Sequence, residues 1–309
     1  SGIKGDQKKF KTERFIYKQK TEELSVIIDC KTVRSAMLHE AKEKITEIGA
    51  HPTLAIIQVE GDDASDVYIR NKEKTCKEIG IQTNIVKLPC KTSFEQIVNV
   101  ICTYSQMSKI NGVMLQLPLP EHLKGREREL LDLIPYDKDV DGLSSESIGR
   151  LWSGQECITP ATPTGILRLL PKDLSGKKAT IIGRSNLVGK PLIKMLMDRN
   201  ATITVCHSKT SIRVLEDCLQ YADIVVSAIG KPKYICAENF QNMVFSDADY
   251  WIDVGINRDK DGKLCGDIEP NDLTMPYMRV TPVPGGVGQL TTAQLALNVI
   301  KAYELQHRS

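Results

Sequence analysis

From Thr53 onward, short apolar runs alternate with longer amphipathic stretches, and no other feature constrains the fold of this chain as tightly. Leu54-Ala55-Ile56-Ile57-Gln58-Val59 is followed by an amphipathic stretch over 65–79 and then by Asn84-Ile85-Val86-Lys87-Leu88. This order predicts βαβ units, in which helices join parallel strands and cover the sheet. Gly80 should stop the helix over 65–79, because glycine accepts the left-handed conformation in which helices end. The next apolar run, Gly112-Val113-Met114-Leu115-Gln116-Leu117, is halted by Pro118 and Pro120. Gln116 is therefore expected at the carboxyl end of a strand, where ligands gather in open α/β sheets.

With 309 residues the chain exceeds what one hydrophobic core usually organises, so two domains are expected. The turn-rich segment Thr159-Pro160-Ala161-Thr162-Pro163 marks the boundary between them. After it the pattern restarts: Lys177-Lys178-Ala179-Thr180-Ile181-Ile182-Gly183 reads as a strand entering a loop, followed by a helix from Lys190 to about Arg199. Further strands are predicted at Thr202 to Cys206, Asp223 to Ala228 and Tyr250 to Val254, and a last helix from Thr291 to about Leu305. The expected class is α/β with two domains: a parallel-sheet domain over 25–158, and a Rossmann-type dinucleotide-binding domain over 159–289.

The 41 basic and 39 acidic residues leave a formal net charge of +2, which gives no general attraction to nucleic acid or membrane. No apolar run approaches the roughly 20 residues needed to span a bilayer, so a soluble protein with a small-molecule substrate is expected. The nine cysteines are scattered singly, without zinc-ligand spacing, which reads as a reduced cytoplasmic protein without a structural metal. The first 24 residues carry seven basic and four acidic side chains with few apolar ones, a composition that favours a disordered extension. Its acids also argue against an organellar transit peptide.

Gly183-Arg184-Ser185-Asn186-Leu187-Val188-Gly189 follows a predicted strand and opens a helix, where backbone N–H groups and the helix dipole can hold a phosphate. It is not G-x-G-x-x-G, and by itself it is equally compatible with an ordinary βα turn. The following strand ends Cys206-His207-Ser208-Lys209-Thr210, without the acidic residue that takes a ribose 2′-hydroxyl in NAD-specific folds. Arg184, Ser208 and His207 or Lys209 can instead meet a 2′-phosphate, which points to NADP. The alternative is that His207 and Lys209 are exposed loop residues.

Tyr68 and Lys72 are four residues apart, so on a helix the phenol and the ammonium share one face. Arg70, Lys74 and Lys77 surround Lys72, and Glu73 pairs with Lys77 in helical register, a pattern that otherwise only keeps a face solvated. Asp141-Gly142 is in the same way a common turn dipeptide. Taken together, Tyr68 and Lys72, Gln116 with Leu115 and Leu117, Asp141, G-R-S-x-x-V-G-x-P from Gly183 and Thr281-Pro282-Val283-Pro284-Gly285-Gly286-Val287-Gly288 resemble the methylenetetrahydrofolate dehydrogenase/cyclohydrolase family. The resemblance runs from about Ile27 to the C-terminus.

The resemblance implies oxidation of 5,10-methylenetetrahydrofolate with NADP and hydrolysis of the methenyl product to 10-formyltetrahydrofolate. It assigns Lys72 to proton transfer, Gln116 to aiming its amine, Asp141 to the amino-pyrimidinone edge of the pterin and Tyr68 to stacking on the ring. Leu115, Leu117, Pro284, Gly285, Gly286, Val287 and Gly288 fall to the folate. Gly183, Arg184, Ser185, His207, Ser208 and the backbone of Ile256 fall to NADP. It further implies that residues 290–309 complete the first domain and that the protein is a homodimer. Three places depart from the family pattern: Gln289-Leu290 follows the glycine loop, Cys30 replaces a usual glycine, and Asp63-Ala64-Ser65 lacks a common proline. Alternatives are a monofunctional dehydrogenase, an NADP oxidoreductase of shikimate dehydrogenase type, and a catalytically silent NADP-binding protein.

Overall fold

The computed structural model describes residues 26–240, 248–272 and 278–308. The extension expected over 1–24 lies outside these residues. Along the chain the strands are β1 (Val26–Ile27), β2 (Thr53–Val59), β3 (Gln82–Leu88), β4 (Gly112–Leu115), β5 (Lys178–Ile182), β6 (Thr202–Cys206), β7 (Ile224–Ser227), β8 (Tyr250–Asp253), β9 (Asn257–Arg258), β10 (Leu264–Cys265) and β11 (Arg279–Val280). The α-helices are α1 (Cys30–Ile48), α2 (Asp63–Ile79), α3 (Phe94–Gln106), α4 (Glu127–Leu131), α5 (Ser145–Ser153), α6 (Ala161–Leu167), α7 (Gly189–Met197), α8 (Ile212–Gln220) and α9 (Val287–Gln306).

These elements gather into two compact units. The first holds Cys30–Lys172, Ser185–Met195 and the stretch from Val287; the second holds the described residues of 26–29, 173–184 and 196–286. The structural changeover thus comes at Asp173, later than the expected Thr159. The reason is packing: α6 lies against α9, and a Cβ on Gly165 would stand 3.0 Å from the Leu290 Cβ. Residues 26–29 also leave the expected first domain, because β1 pairs with β11 in the sheet of the second unit.

In the first unit β2 lies between β3 and β4, all parallel, with Ile57 opposite Val86 on one side and Leu115 on the other. Ala55, Ile57, Val59, Val113 and Leu115 share a core with Ile97 and Ile101 of α3, while Leu54, Ile56 and Met114 are buried as well. Burial on both faces is why β2 reads as an apolar run broken only by the buried Gln58. Helix α9 buries Leu290, Leu295, Val299 and Ile300 and packs on α1 and α6. A helix apolar on several sides belongs inside a unit rather than on its surface.

The second unit is a six-stranded parallel sheet in the order β1-β11-β8-β7-β5-β6. Four of these strands were expected; β1 and β11 are two residues each, too short to leave a periodic signal. The register aligns the strand ends, pairing Ile182 with both Cys206 and Ser227, and Ser227 with Asp253. Gly183, His207, Ala228 and Val254 therefore stand in a row along the carboxyl edge. The chain leaves β5 toward neighbours on both sides, which makes the β5/β7 junction the switch point of the sheet.

Helix α2 ends where the sequence indicated. Gly80 adopts φ +89 and its N–H reaches the Cys76 and Lys77 carbonyls, while a Cβ there would stand 3.3 Å from the His51 Nδ1. Gly80→Ala should therefore lower stability by about 1 kcal/mol, measured by urea unfolding, without changing the slope of the transition.

Candidate active site

The side chain of Asp62 caps α2, accepting from the Ser65 N–H at 3.0 Å and the Ser65 hydroxyl at 2.7 Å. This local pair starts the helix without the family's proline, so the departure at 63–65 leaves the element intact. Tyr68 and Lys72 follow on one face of α2, Tyr68 with 40% of its surface exposed and Lys72 half-buried. The Lys72 Nζ donates to the Gln116 Oε1 at 2.8 Å. The Gln116 Nε2 in turn donates to the Leu117 carbonyl at 2.6 Å, which fixes the amide with its oxygen toward the amine. Gln116 itself is placed at the end of β4 by its N–H, which donates to the Ile57 carbonyl of β2.

Asp141 comes from a third segment. Its loop is tied to the sheet by a parallel bridge between Val113 and Asp139 and by the Val113 N–H, which donates to the Lys138 carbonyl, and the Asp139 carboxylate accepts from the Ser144 N–H at 2.7 Å at the start of α5. Gly142 is required here, because it has φ +64 and a Cβ would stand 2.7 Å from the Ile158 carbonyl oxygen. Asn298 of α9 closes the arrangement, its Nδ2 donating to the Val140 and Thr159 carbonyls at 2.8 Å each. Sequence reading missed Asn298, since its partners lie 158 and 139 residues away.

Burial shifts the ionisable groups of the trio. Burial lowers the basicity of Lys72, and the nearby charge of Asp141 opposes that shift. Asp141 is raised above the usual carboxylate range by burial, with Lys72 pulling it down and Asp139 adding to the rise. The Cys76 thiol, one turn beyond Lys72, is pushed up to about 12 by burial and so stays protonated. An amine with lowered basicity, hydrogen-bonded to a neutral amide beside a carboxyl group, gives up its proton at lower pH than a free lysine does.

Not every proposed folate contact is available as a side chain. Leu115 is 1% exposed and faces the core of the first unit, so it offers its surroundings only backbone; Leu117 is half-buried against the same core. The glycine loop is also shorter than expected. Pro284, Gly285 and Gly286 form a turn, but Val287 and Gly288 already belong to the first turn of α9, and Val287 is 3% exposed. A Cβ on Gly286 would stand 2.2 Å from the Pro282 carbonyl oxygen, so the turn tolerates no larger residue there. Gln289 thus sits on a helix rather than in a loop, and Cys30 is a buried residue at the start of α1.

In the second unit the fit to a dinucleotide rests on Gly183. It has φ +133, and a Cβ would stand 2.5 Å from the Ala228 carbonyl oxygen at the switch point, so only glycine lets the two strand ends approach. Arg184 and Ser208 are exposed, each within two residues of the paired strand ends Ile182 and Cys206, and no carboxylate follows β6. His207 is half-buried, with its Nδ1 accepting from the Lys209 N–H at 3.2 Å. Ser185 is exposed and its hydroxyl accepts from the Val188 N–H at the start of α7. Ile256 is half exposed just beyond β8. Asp253 is 2% exposed, and burial pushes its carboxyl up to about 6 against the pull of its N–H donors.

Residues 28–141 match the family model for the tetrahydrofolate dehydrogenase/cyclohydrolase catalytic domain, and residues 160–307 match the model for its NAD(P)-binding domain. The chain belongs to the tetrahydrofolate dehydrogenase/cyclohydrolase family. Curated relatives named bifunctional protein FolD, from Agathobacter rectalis and Moorella thermoacetica, are each 41% identical over 282 residues, covering 89% of this chain and 98% of theirs. The crystal structure of the bifunctional FolD enzyme of Campylobacter jejuni shares 33% identity with a TM-score of 0.83, covering 91% of this chain and 99% of that one. The FolD of Trypanosoma brucei, solved with NADP cofactor and inhibitor, shares 28% identity with a TM-score of 0.82 over 92% of this chain and 99% of its own. Membership in the tetrahydrofolate dehydrogenase/cyclohydrolase family displaces the reading as a shikimate dehydrogenase-type oxidoreductase. Asn298→Ala should leave two buried carbonyls of this site without a donor and lower stability by roughly 2–4 kcal/mol in thermal or urea unfolding.

Proposed function

We propose that this chain carries both reactions of its family in one-carbon folate metabolism. It oxidises 5,10-methylenetetrahydrofolate to the 5,10-methenyl cation with NADP and hydrolyses that cation to 10-formyltetrahydrofolate. The observation that carries the reading is the Lys72–Gln116 hydrogen bond, formed by an amine of lowered basicity beside Asp141. A monofunctional dehydrogenase has no need of that arrangement. A silent nucleotide-binding protein has none either.

In hydrolysis, neutral Lys72 takes one proton from the water that attacks the methenyl carbon and returns it to the ring nitrogen as its bond to that carbon breaks, while the remaining hydroxyl proton leaves to solvent as the formyl C=O forms. Gln116 holds the amine in line through its oxygen, while Asp141 accepts the paired N–H groups of the pterin edge and Tyr68 stacks on the ring. NADP, when bound, accepts the hydride in the oxidation. Arg184 and Ser208 hold the 2′-phosphate, and the backbone at Ile256 takes the nicotinamide amide. Ser185 and Gly183 give the phosphates a close backbone approach.

The protein is read as a cytoplasmic homodimer without nucleic-acid or membrane partners. The near-balanced charge supports this, and among the described residues no helix is long and apolar enough to cross a membrane. The open edge of β6, where Val205 is exposed, offers a surface for a second copy. Light scattering that returns the mass of a single chain would refute the dimer.

Lys72→Met should abolish hydrolysis of methenyltetrahydrofolate, followed by its absorbance, while folate binding persists; hydrolysis at the normal rate would refute the assignment. The sign of the pH dependence follows from the lowered basicity of Lys72. The amine becomes neutral as pH rises through a value below its ordinary 10.5, so the hydrolysis rate should climb along that limb. Asp141→Asn removes the charge that favours the ammonium and should move the limb to lower pH. Arg184→Ala should raise KM for NADP by roughly tenfold and leave the weaker use of NAD unchanged, read in steady-state assays with each cofactor.

A further inference from the structure

The second unit contains a pair of buried carboxylates that the chemistry above does not use. Asp267 is fully buried and collects five donors. Its Oδ2 accepts from the Ser227 hydroxyl at 3.1 Å, the Ile229 N–H at 2.8 Å and the Gly230 N–H at 3.3 Å. Its Oδ1 accepts from the Lys231 N–H at 3.0 Å and the Asn257 Nδ2 at 2.9 Å. Asp253 anchors this residue from behind, accepting from the Asp267 N–H at 3.0 Å, the Ile268 N–H at 2.9 Å and the Gly255 N–H at 2.8 Å. Thr281 closes the back, its hydroxyl oxygen accepting from the Asp253 N–H at 2.7 Å.

Two glycines show how tightly the chain is wrapped on these groups. A Cβ on Gly255 would stand 2.3 Å from the Asp267 Oδ1, and one on Gly266 would stand 1.9 Å from the Asp253 Oδ2. No side chain fits at either place. The segment after β8 is thus pressed onto Asp267 at Gly255 and held again at Asn257, which leaves Ile256 between two fixed points and turned outward. The segment after β7 is pinned over 229–231 by the same carboxylate. These two segments are adjacent at the carboxyl edge of the sheet, where Ser227 pairs with Asp253.

We propose that Asp267, seated by Asp253, is a positioning residue for hydride transfer: it locks the 229–231 and 255–257 segments that frame the nicotinamide end of the NADP site. The inference rests on the reading that the Ile256 backbone takes the nicotinamide amide. Hydride transfer depends on placement more than on acid or base groups, so a clamp of this kind acts on the oxidation. Hydrolysis depends on Lys72, Gln116 and Asp141, none of which Asp267 touches. The two activities should therefore separate.

The test uses the full chain with Asn257→Ala, which removes one donor and keeps the carboxylate, and Asp267→Asn, which turns a donor toward the N–H groups. Dehydrogenase kcat, KM for NADP and methenyltetrahydrofolate hydrolysis are measured for each beside the unaltered chain. Asn257→Ala is expected to lower dehydrogenase kcat by roughly 5- to 10-fold, and Asp267→Asn by about 100-fold with a raised KM for NADP, with hydrolysis held within about twofold. Parallel loss of both activities in Asn257→Ala, or an unchanged dehydrogenase, would overturn the clamp. Absence of both activities from the unaltered chain would instead overturn the function proposed above.

Discussion

A single hydrogen bond, from the Lys72 amine to the Gln116 amide oxygen, sets the requirements that the rest of the first unit meets. A lysine amine prefers water, and removing it from water favours the neutral form. A carboxylate as direct partner would hold the proton firmly; a neutral amide satisfies the N–H without doing so. The charge that remains, on Asp141, acts through space and partly offsets the loss of water. The amine is left more readily neutral than one in water, which favours passing a proton both ways within one turnover. The bond spans 44 residues of sequence, so its geometry is only as good as the sheet and helix that bring α2 to the end of β4.

That dependence explains features which otherwise look unrelated. Gly142 permits the backbone after Asp141 to press against the segment from Ile158 to Pro160, and Asn298 ties both strands of that contact to α9. Gly165 lets α6 sit against the first turn of α9. The carboxylate is thus backed by a main-chain contact that a Cβ would break, and the amide is held by its own N–H on the Ile57 carbonyl and its Nε2 on the Leu117 carbonyl.

The strands β2 and β4, the helix α2 with its stop at Gly80, and the shared face of Tyr68 and Lys72 were legible because each depends on neighbours within a few residues. Gln116 was legible because Pro118 ends its strand. The loop from Gly183 was readable in outline, since a strand precedes it and a helix follows. Beyond that range the sequence is mute in a physically simple way. Asn298 acts on carbonyls 158 and 139 residues away, and Asp267 binds Ser227 across 40 residues, so nothing local distinguishes them from ordinary polar residues. Strands β1 and β11 are held by pairing rather than by pattern. Helix α9 begins at Val287 because the turn closes at Gly286 against Pro282, a clash distance that no periodicity records.

The two units use buried charge in opposite ways. Asp267 is given five donors and Asp253 three, so their carboxylates are fixed points from which backbone is hung. Lys72 is given one neutral acceptor and a neighbouring opposite charge that only partly offsets its burial, so it holds its proton less firmly than a free lysine. This division matches the demands of the two reactions. Transferring a hydride to nicotinamide needs carbon atoms placed to a fraction of an ångström, whereas opening the methenyl cation needs a group that changes its protonation within the cycle. A carboxylate as mobile as Lys72 at the nicotinamide end would trade placement for proton exchange that the oxidation cannot use, and a lysine as firmly bound as Asp267 would hold its proton through the hydrolysis.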